Sequence, residues 1–471
     1  MSDAPPEPEA PSSRLTRDEV LRRGAAAAFA LSTFGALPER SLGFYGPLRF
    51  KHKQLAGELR ILQWQHFIPP YDPWLDNTYA KQWGEKNDVD VKIDHINNAL
   101  LYATGSSEVA AQSGHDLFQF LNPPSSFQKQ VIPLNDIVQE VTKKLGPMTR
   151  VAQRSTYNPR TKQYFGFPDN YVPDPITYRK SILNAAGVSL RTWEDMRKGA
   201  AKLKASGHPL GLGMSTNDLD SNMFLFSLLY CYGALIQNEE NRIVFGQGSN
   251  RKGAIEALEL MRDLYKNGMS DEIFAWNTAS NNQGFLAGRL SVVMNAISIP
   301  RVAEQNNSPF QDDIWLASIP RGPVMRLGNE HVMGVYVIWK FAKNKEAAKK
   351  YLVDAQLNSL THFEHSQFYN FPAWTGAIKG GFKTMRKMAA ADPHKPRGKY
   401  SILTTIAEHY TTNVGYPGYS NAAIDEIFST SLIPTMFAQV TQEKMTPAEA
   451  VSGLDAQAKK IYRKWQDQGL V

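Results

Sequence analysis

Between Leu59 and Leu121 the chain alternates short apolar strands with helical stretches, and this alternation restricts the fold more than any other feature of the sequence. Leu59 to Gln65 reads as a strand. Trp74 to Lys86 has helical spacing, with Trp74, Tyr79 and Trp83 on roughly one side. Asp88 to His95 sets Val89, Val91 and Ile93 at period two. Leu100 to Gln112 can form a helix, and His115 to Leu121 is a short apolar strand. A strand–helix–strand–helix–strand order specifies an α/β architecture with a parallel, doubly wound sheet.

The rhythm continues downstream. Thr192-Trp193-Glu194-Asp195 is a helix start of the capping-box kind, and Gly207 ends that helix. Ile255, Leu258, Met261 and Tyr265 form one stripe on a helix closed by Gly268. Lys345 to Leu357 is a further helix. Thr446-Pro447-Ala448-Glu449 starts the last one, with proline at the first helical position. With 471 residues, two or three domains are expected.

Several segments resemble extracellular solute-binding protein family 1, the maltose-binding-like receptors of ABC importers. Residues 283–295 read Gln-Gly-Phe-Leu-Ala-Gly-Arg-Leu-Ser-Val-Val-Met-Asn. The family carries a phenylalanine, a glycine three residues on, and a short strand ending in methionine. Physically, a helix lays Phe285 on the core, stops at Gly288 and enters a strand. Tyr164 to Asp169 (Tyr-Phe-Gly-Phe-Pro-Asp) resembles the first crossover, and Ile319 to Pro323 the return crossover. Thr192 to Asp195 and Lys340 to Leu352 resemble the family's Thr-Trp-Glu and Lys-Glu-Ala-Ala helices. The resemblance spans about residues 57–471.

It implies a type II periplasmic-binding fold: two lobes, each a mainly parallel sheet flanked by helices, joined by crossing hinge strands. The expected lobes are 57–168 with 321–372, and 169–320 with 373–471. Hinges are expected near Pro168–Asn170 and Pro320–Gly322. Ligands of open α/β sheets bind beyond the carboxyl ends of the strands, so the cleft between lobes is the expected site. A sugar offers hydroxyls and apolar C–H faces, which call for polar side chains and flat aromatics. At the expected strand ends stand Trp64, Gln65 and His66, then Asn122, then Asp169, Asn170 and Tyr171. Trp276, Asn277 and Asn281 precede the phenylalanine–glycine helix, Asn295 ends its strand, and Trp374 follows Phe371-Pro372. Trp83, Trp193, Trp339 and Trp465 read as packing residues. The resemblance implies a monomeric receptor that delivers a sugar to ABC permease subunits in the inner membrane, with no cofactor, no metal and no catalysis. Glycerol phosphate or a polyamine are alternatives on the same fold, and a secreted carbohydrate-active enzyme is an alternative of another class.

Signals for other chemistry are poor. No Gly-x-Ser-x-Gly, Walker loop, complete Gly-x-Gly-x-x-Gly or His-Glu-x-x-His occurs. His362-Phe363-Glu364-His365 offers two histidines but no third convergent ligand. The single cysteine, Cys231, lies in an apolar run and permits no intrachain disulfide. The net charge of +7 is spread along the chain. Its densest basic stretch, Lys379 to Lys399, has no interleaved aromatic beyond Phe382, which argues against nucleic-acid binding. No apolar run after residue 60 approaches the ~20 residues of a membrane span.

Residues 1–56 are expected to be a disordered, Pro- and Glu-rich start followed by an export signal. Arg14 to Arg23 is basic, and Gly24 to Leu37 carries no charge. Arg22-Arg23 suggests the twin-arginine route, although Gly24 follows the pair directly. No cysteine follows the apolar segment, so no lipid anchor is expected and the chain should be periplasmic. The mature chain is predicted to start between Pro38 and Gly57. Amino-terminal sequencing of periplasmic protein checks this, and an intact Met1 in the cytoplasm contradicts it.

Overall fold

The computed structural model describes residues 55–471, residue 217 excepted. The export segment at 14–37 lies outside the described residues. Two sheets organise the chain. The first holds six strands: β1 (Glu58–Trp64), β2 (Asp90–Ile96), β3 (Leu117–Phe120), β4 (Phe167–Val172), and two late arrivals. The second is built from β5 (Ile176–Arg179), β6 (Leu210–Gly211), β7 (Val292–Met294) and β8 (Ile314–Ala317), in the order β8-β5-β7-β6. The chain then passes through β9 (Gly328–Asn329) and re-enters the first sheet as β10 (Val332–Ile338) and β11 (Phe371–Pro372). The six-stranded order is β11-β4-β10-β3-β1-β2. β12 (Thr411–Thr412) pairs in parallel with β9.

Both sheets are mixed, where the sequence led to the expectation of mainly parallel ones. β1 pairs in parallel with β2 and β3, and β6 with β7. The rest is antiparallel for a topological reason. β10 comes back from the other sheet and inserts between β3 and β4, so it must run against both. Likewise β5 enters its sheet from the crossing and runs against β7 and β8.

Two hydrophobic cores follow these sheets. The first runs from Leu59 to Val172 and resumes at Val332, ending near Ala407, with Ala296, Ile297 and Leu316 reaching into it from the intervening stretch. The second begins at Ile176, runs to Ile319, and resumes at Val414. The chain therefore crosses at 173–175, at 320–331 and at 408–413. This moves the first expected boundary from 168 to the far end of β4. It also moves 373–407 into the first lobe: Trp374, Met385, Tyr400 and Leu403 fill the first core rather than the second.

Local sequence accounts for the helices that cover these sheets. The Thr192 side chain caps the helix Trp193–Ala205, accepting from Asp195 N at 3.0 Å. Thr446 and Glu449 form a full capping box with Pro447 at the first turn of Pro447–Asp467. The helix Gly248–Gly268 buries Leu258 and Met261. Gly288, at φ +74°, turns the chain from the helix Ser280–Leu286 toward β7; a left-handed position there favours glycine.

The crossings are hydrogen-bonded side by side. His331 N donates to Val172 O at 2.8 Å, tying the second crossing to the first. Glu330 N donates to Thr412 O at 2.8 Å, and Val414 N donates to Glu330 Oε1 at 3.1 Å, tying it to the third. Glu330 is fully buried, and burial pushes its carboxyl up to about 8. The folded chain thus holds a proton that the unfolded chain releases near the ordinary glutamate value. This contribution to stability is fully present below the unfolded pKa and is lost as pH rises through about 8. Glu330→Gln copies the protonated shape. It should melt close to the parent at about pH 5 and above it at about pH 9. Melting curves of both proteins across that range check this, and an equal offset at both ends refutes it.

Candidate functional site

The three crossings form the floor between the lobes, and His331 stands on it. Its Nδ1 lies 3.1 Å from Asp174 Oδ1, in the first crossing, and its Nε2 lies 3.5 Å from Asp220 Oδ1 in the second lobe. Burial alone would lower this imidazole. The Asp220 and Asp174 carboxylates outweigh it and hold the ring at about 9, so it is cationic at neutral pH. Burial raises Asp174 and Asp220 in turn. Asp218 caps the helix Leu219–Cys231 through the N–H groups of Asp220 and Ser221, a favourable place for a carboxylate.

Asp220 is also the hub of an amide cluster. Its Oδ2 accepts from Asn281 Nδ2 at 2.7 Å and from Asn295 Nδ2 at 3.0 Å. Asn295 sits just past β7, and Ser298 donates to its Oδ1 at 3.2 Å. The next residues, Ala296 and Ile297, pack in the first core, so this cluster faces the other lobe directly.

From the first lobe come aromatic rings. Trp64 ends β1, and its ring centroid lies 4.7 Å from His66 and 6.2 Å from Tyr369. His66 and Tyr369 meet at 4.9 Å. Ile68 N donates to His66 Nδ1, so the ring proton is on Nε2 and donates to Asn370 Oδ1 at 3.2 Å. Burial lowers His66 to about 3, and the ring is neutral. The Tyr369 hydroxyl is buried without a hydrogen-bond partner. Burial raises its pKa, and the Asp220 and Asp174 carboxylates raise it further. The ring thus packs with the first-lobe aromatics while its hydroxyl feels the carboxylates of the floor.

The lobes also touch beside this floor. Asn122 Nδ2 donates to the Tyr102 hydroxyl at 2.6 Å, and Tyr102 donates to Asp425 on the helix Ala422–Ser429. Ser126 N donates to Asp425 Oδ2 at 2.8 Å. Burial pushes Asp425 up to about 6. Thr278 donates to Asn98 Oδ1 at 3.2 Å.

The residues expected from sequence divide accordingly. Asn281 and Asn295 gather on Asp220 in the second lobe, Asn122 bonds Tyr102 beside Asp425, and Trp64 and His66 pack with Tyr369 in the first lobe. Gln65 and Asn277 are exposed, and Asn277 caps the turn at Ala279. Asp169 and Asn170 lie on β4 and line a cavity of ≈ 20 Å³ inside the first lobe, with Gln119 and His362; Trp64, His66 and Asn370 border the same cavity. Tyr171 packs on Phe371 and Trp276 sits in the second core. Trp374 is 0% exposed, stacks near Phe167 and donates to Thr142 Oγ1 at 3.1 Å. A buried indole with one polar partner has the same local sequence environment as a stacking platform, which is why sequence misplaced it. Tyr369 and Asn370 lie immediately before the Phe371–Trp374 segment that drew attention. Nothing local marked Asp174, Asp220, His331, Tyr102 or Asp425.

Among the described residues, Glu304, Asp392 and His394 converge closely enough to hold a metal. Arg301 and Lys399 already pair with these carboxylates. The two histidines of the 362–365 helix part: His362 pairs with the Tyr71 hydroxyl and His365 stacks on Trp74. Cys231 is buried, and burial raises its thiol pKa.

Residues 74–353 match the family model described as bacterial extracellular solute-binding protein. No curated protein matches the chain. Among solved structures, the maltose-bound MalE3 of T. maritima is similar at TM-score 0.69 and 16% identity, over 86% of this chain and 100% of that one. A sugar transporter from Arthrobacter chlorophenolicus A6 with bound laminaribiose matches at TM-score 0.69 and 18% identity, over 86% and 98%. An ABC transporter solute-binding protein from Thermotoga lettingae TMO, bound with alpha-D-tagatose, matches at TM-score 0.69 and 17% identity, over 86% and 99%.

Trp374→Ala should therefore act on the fold. It removes a fully buried indole and should cost ~3–5 kcal/mol of stability. Chemical denaturation checks this. A variant that keeps its stability would place Trp374 outside the core.

Proposed function

The chain belongs to the bacterial extracellular solute-binding proteins, and on that premise we propose that it is the substrate-binding component of an ABC importer, taking a sugar or oligosaccharide between its lobes and delivering it to permease subunits in the inner membrane. It acts as a periplasmic monomer and carries out no turnover of its own. The observation that carries this reading is Tyr369. Its ring packs with Trp64 and His66 in one lobe, while its unpartnered hydroxyl lies in the field of Asp174 at the crossing and Asp220 in the other. A flat apolar surface beside an unsatisfied hydroxyl suits the C–H face and hydroxyl rim of a sugar.

The carboxylates raise the question of a cationic solute such as a polyamine. Each is already engaged: Asp218 by helix N–H groups, Asp220 by Asn281 and Asn295, and Asp174 by His331. With their oxygens taken up by these donors, the carboxylates offer few free acceptors to a polyamine's ammonium groups, which favours a neutral polyhydroxyl guest. No helix among the described residues is long and apolar enough to cross a membrane, which accords with delivery to a separate permease.

The lobes should close on the guest by a hinge at the three crossings. A thermal-shift panel of neutral mono- and oligosaccharides, polyols, glycerol phosphate and polyamines tests the solute class. A bound sugar should stabilise the fold by ~2.7 kcal/mol at a hundredfold excess over Kd, and small-angle scattering should show a smaller radius of gyration. Stabilisation by polyamines or glycerol phosphate alone, or turnover of a sugar, would overturn the reading.

A further inference from the structure

Beside the floor, the second lobe reaches into the first through one side chain. Arg301 lies on the helix Ser298–Gln305 and is 3% exposed. Its Nε and Nη2 both donate to Gln367 O, at 3.3 and 3.0 Å. Nη2 also lies 2.9 Å from Asp392 Oδ2, and Nη1 lies 3.0 Å from Glu304 Oε2 on its own helix. The Tyr400 ring sits 3.7 Å from the guanidinium carbon, and the Tyr400 hydroxyl donates to Glu304 at 2.7 Å. Lys399 completes the set by pairing with Glu304, so two cations balance two carboxylates in a buried cluster. Gln367, Asp392, Lys399 and Tyr400 belong to the first lobe. Arg301 and Glu304 belong to the second.

The carbonyl that Arg301 holds is in an uncommon backbone. Gln367 has φ +53° and Phe368 φ +72°, two consecutive left-handed residues without a glycine. Such positions persist only where their surroundings over-determine them. Within the first lobe, Gln367 N donates to Glu364 O and Phe368 N to Phe363 O, both at 2.9 Å, which closes the helix Ser359–His365. The restraint from outside is the fork of Arg301. The chain leaving this turn is Tyr369 and Asn370, the residues that meet Trp64 and His66.

We propose that Arg301 is a positioning residue for the interlobe site: from the second lobe it fixes the left-handed Gln367–Phe368 turn of the first, and so sets Tyr369 and Asn370 in place. Donor and acceptor are in different lobes, so the restraint exists only while this edge of the interface is shut. The site's aromatic wall is therefore completed by lobe contact. The functional part of this inference rests on reading the interlobe face as the solute site. The structural part stands without it.

Hydrogen exchange on the intact protein, with no solute added, tests the inference without reference to what is bound. Tyr369 N donates to Ser366 O and Asn370 N to Ser366 Oγ, so their amides report on the turn. Arg301→Lys keeps the charge and loses the fork on Gln367 O. It should exchange Tyr369 and Asn370 roughly tenfold faster, a ratio equivalent to one decade of opening constant, while β1 amides keep the parent's rates. Lys399→Met disturbs the same ion cluster without touching Gln367 O and should leave the turn's rates near those of the parent. Arg301→Gln is read in the same way should the lysine variant not fold. Unchanged exchange at Tyr369 and Asn370 in a folded Arg301 variant overturns the inference. So does equal loosening by Lys399→Met, or loosening spread evenly over the first lobe.

Discussion

Three crossing segments lie side by side, and their mutual hydrogen bonds are what let one chain build two cores and a face between them. His331 N on Val172 O, Glu330 N on Thr412 O and Val414 N on Glu330 Oε1 make a narrow sheet-like strap from segments that are distant in sequence. The strap dictates the strand directions on both sides. β4 runs into it and β10 runs out of it, so β10 can only insert antiparallel, and the sheets become mixed.

Polar groups in such a strap are buried and must find partners there. The imidazolium of His331 between Asp174 and Asp220, and the amides of Asn281 and Asn295 on Asp220, are that solution. Breaking one member would leave its partner as an uncompensated buried charge, which is far costlier than never having had the pair. The floor between the lobes is therefore held by groups that satisfy one another. Beside it lie the Tyr369 hydroxyl, which has no hydrogen-bond partner, and the mutually packed rings of Trp64 and Tyr369. Arg301 spans the lobe boundary beside these groups.

How much of this was legible in the sequence depends on how local the cause was. Period-two and helical spacing from Leu59 to Leu121 located the first three strands, because burial on one face acts residue by residue. Thr192, Thr446 and Gly288 announced helix ends, because caps need only neighbours. The insertion of β10 between β3 and β4 was not legible, since nothing in Val332–Ile338 names its partners. The same holds for the return of 373–407 to the first lobe. Around the crossings, Trp64, His66, Asn281 and Asn295 were picked out by placing strand ends. Tyr369, His331, Asp220 and Asp425 were not, because their roles come from contacts with residues distant in sequence, as between His331 and Asp220 at 3.5 Å. Trp374 shows the converse: an aromatic beside a turn reads as a platform until its neighbours Phe167 and Thr142 are seen.

The central claim is that the solute lies at the interlobe face, against the Trp64–Tyr369 wall and over the His331–Asp220 floor. A crystal structure grown with the saccharide that stabilises the protein most measures this directly. The account predicts density for one sugar ring within contact of Trp64, with a hydroxyl in hydrogen-bond reach of the Tyr369 oxygen. Density instead in the first-lobe cavity between Gln119, Asp169 and His362, or on an outer face with Tyr369 untouched, would contradict it.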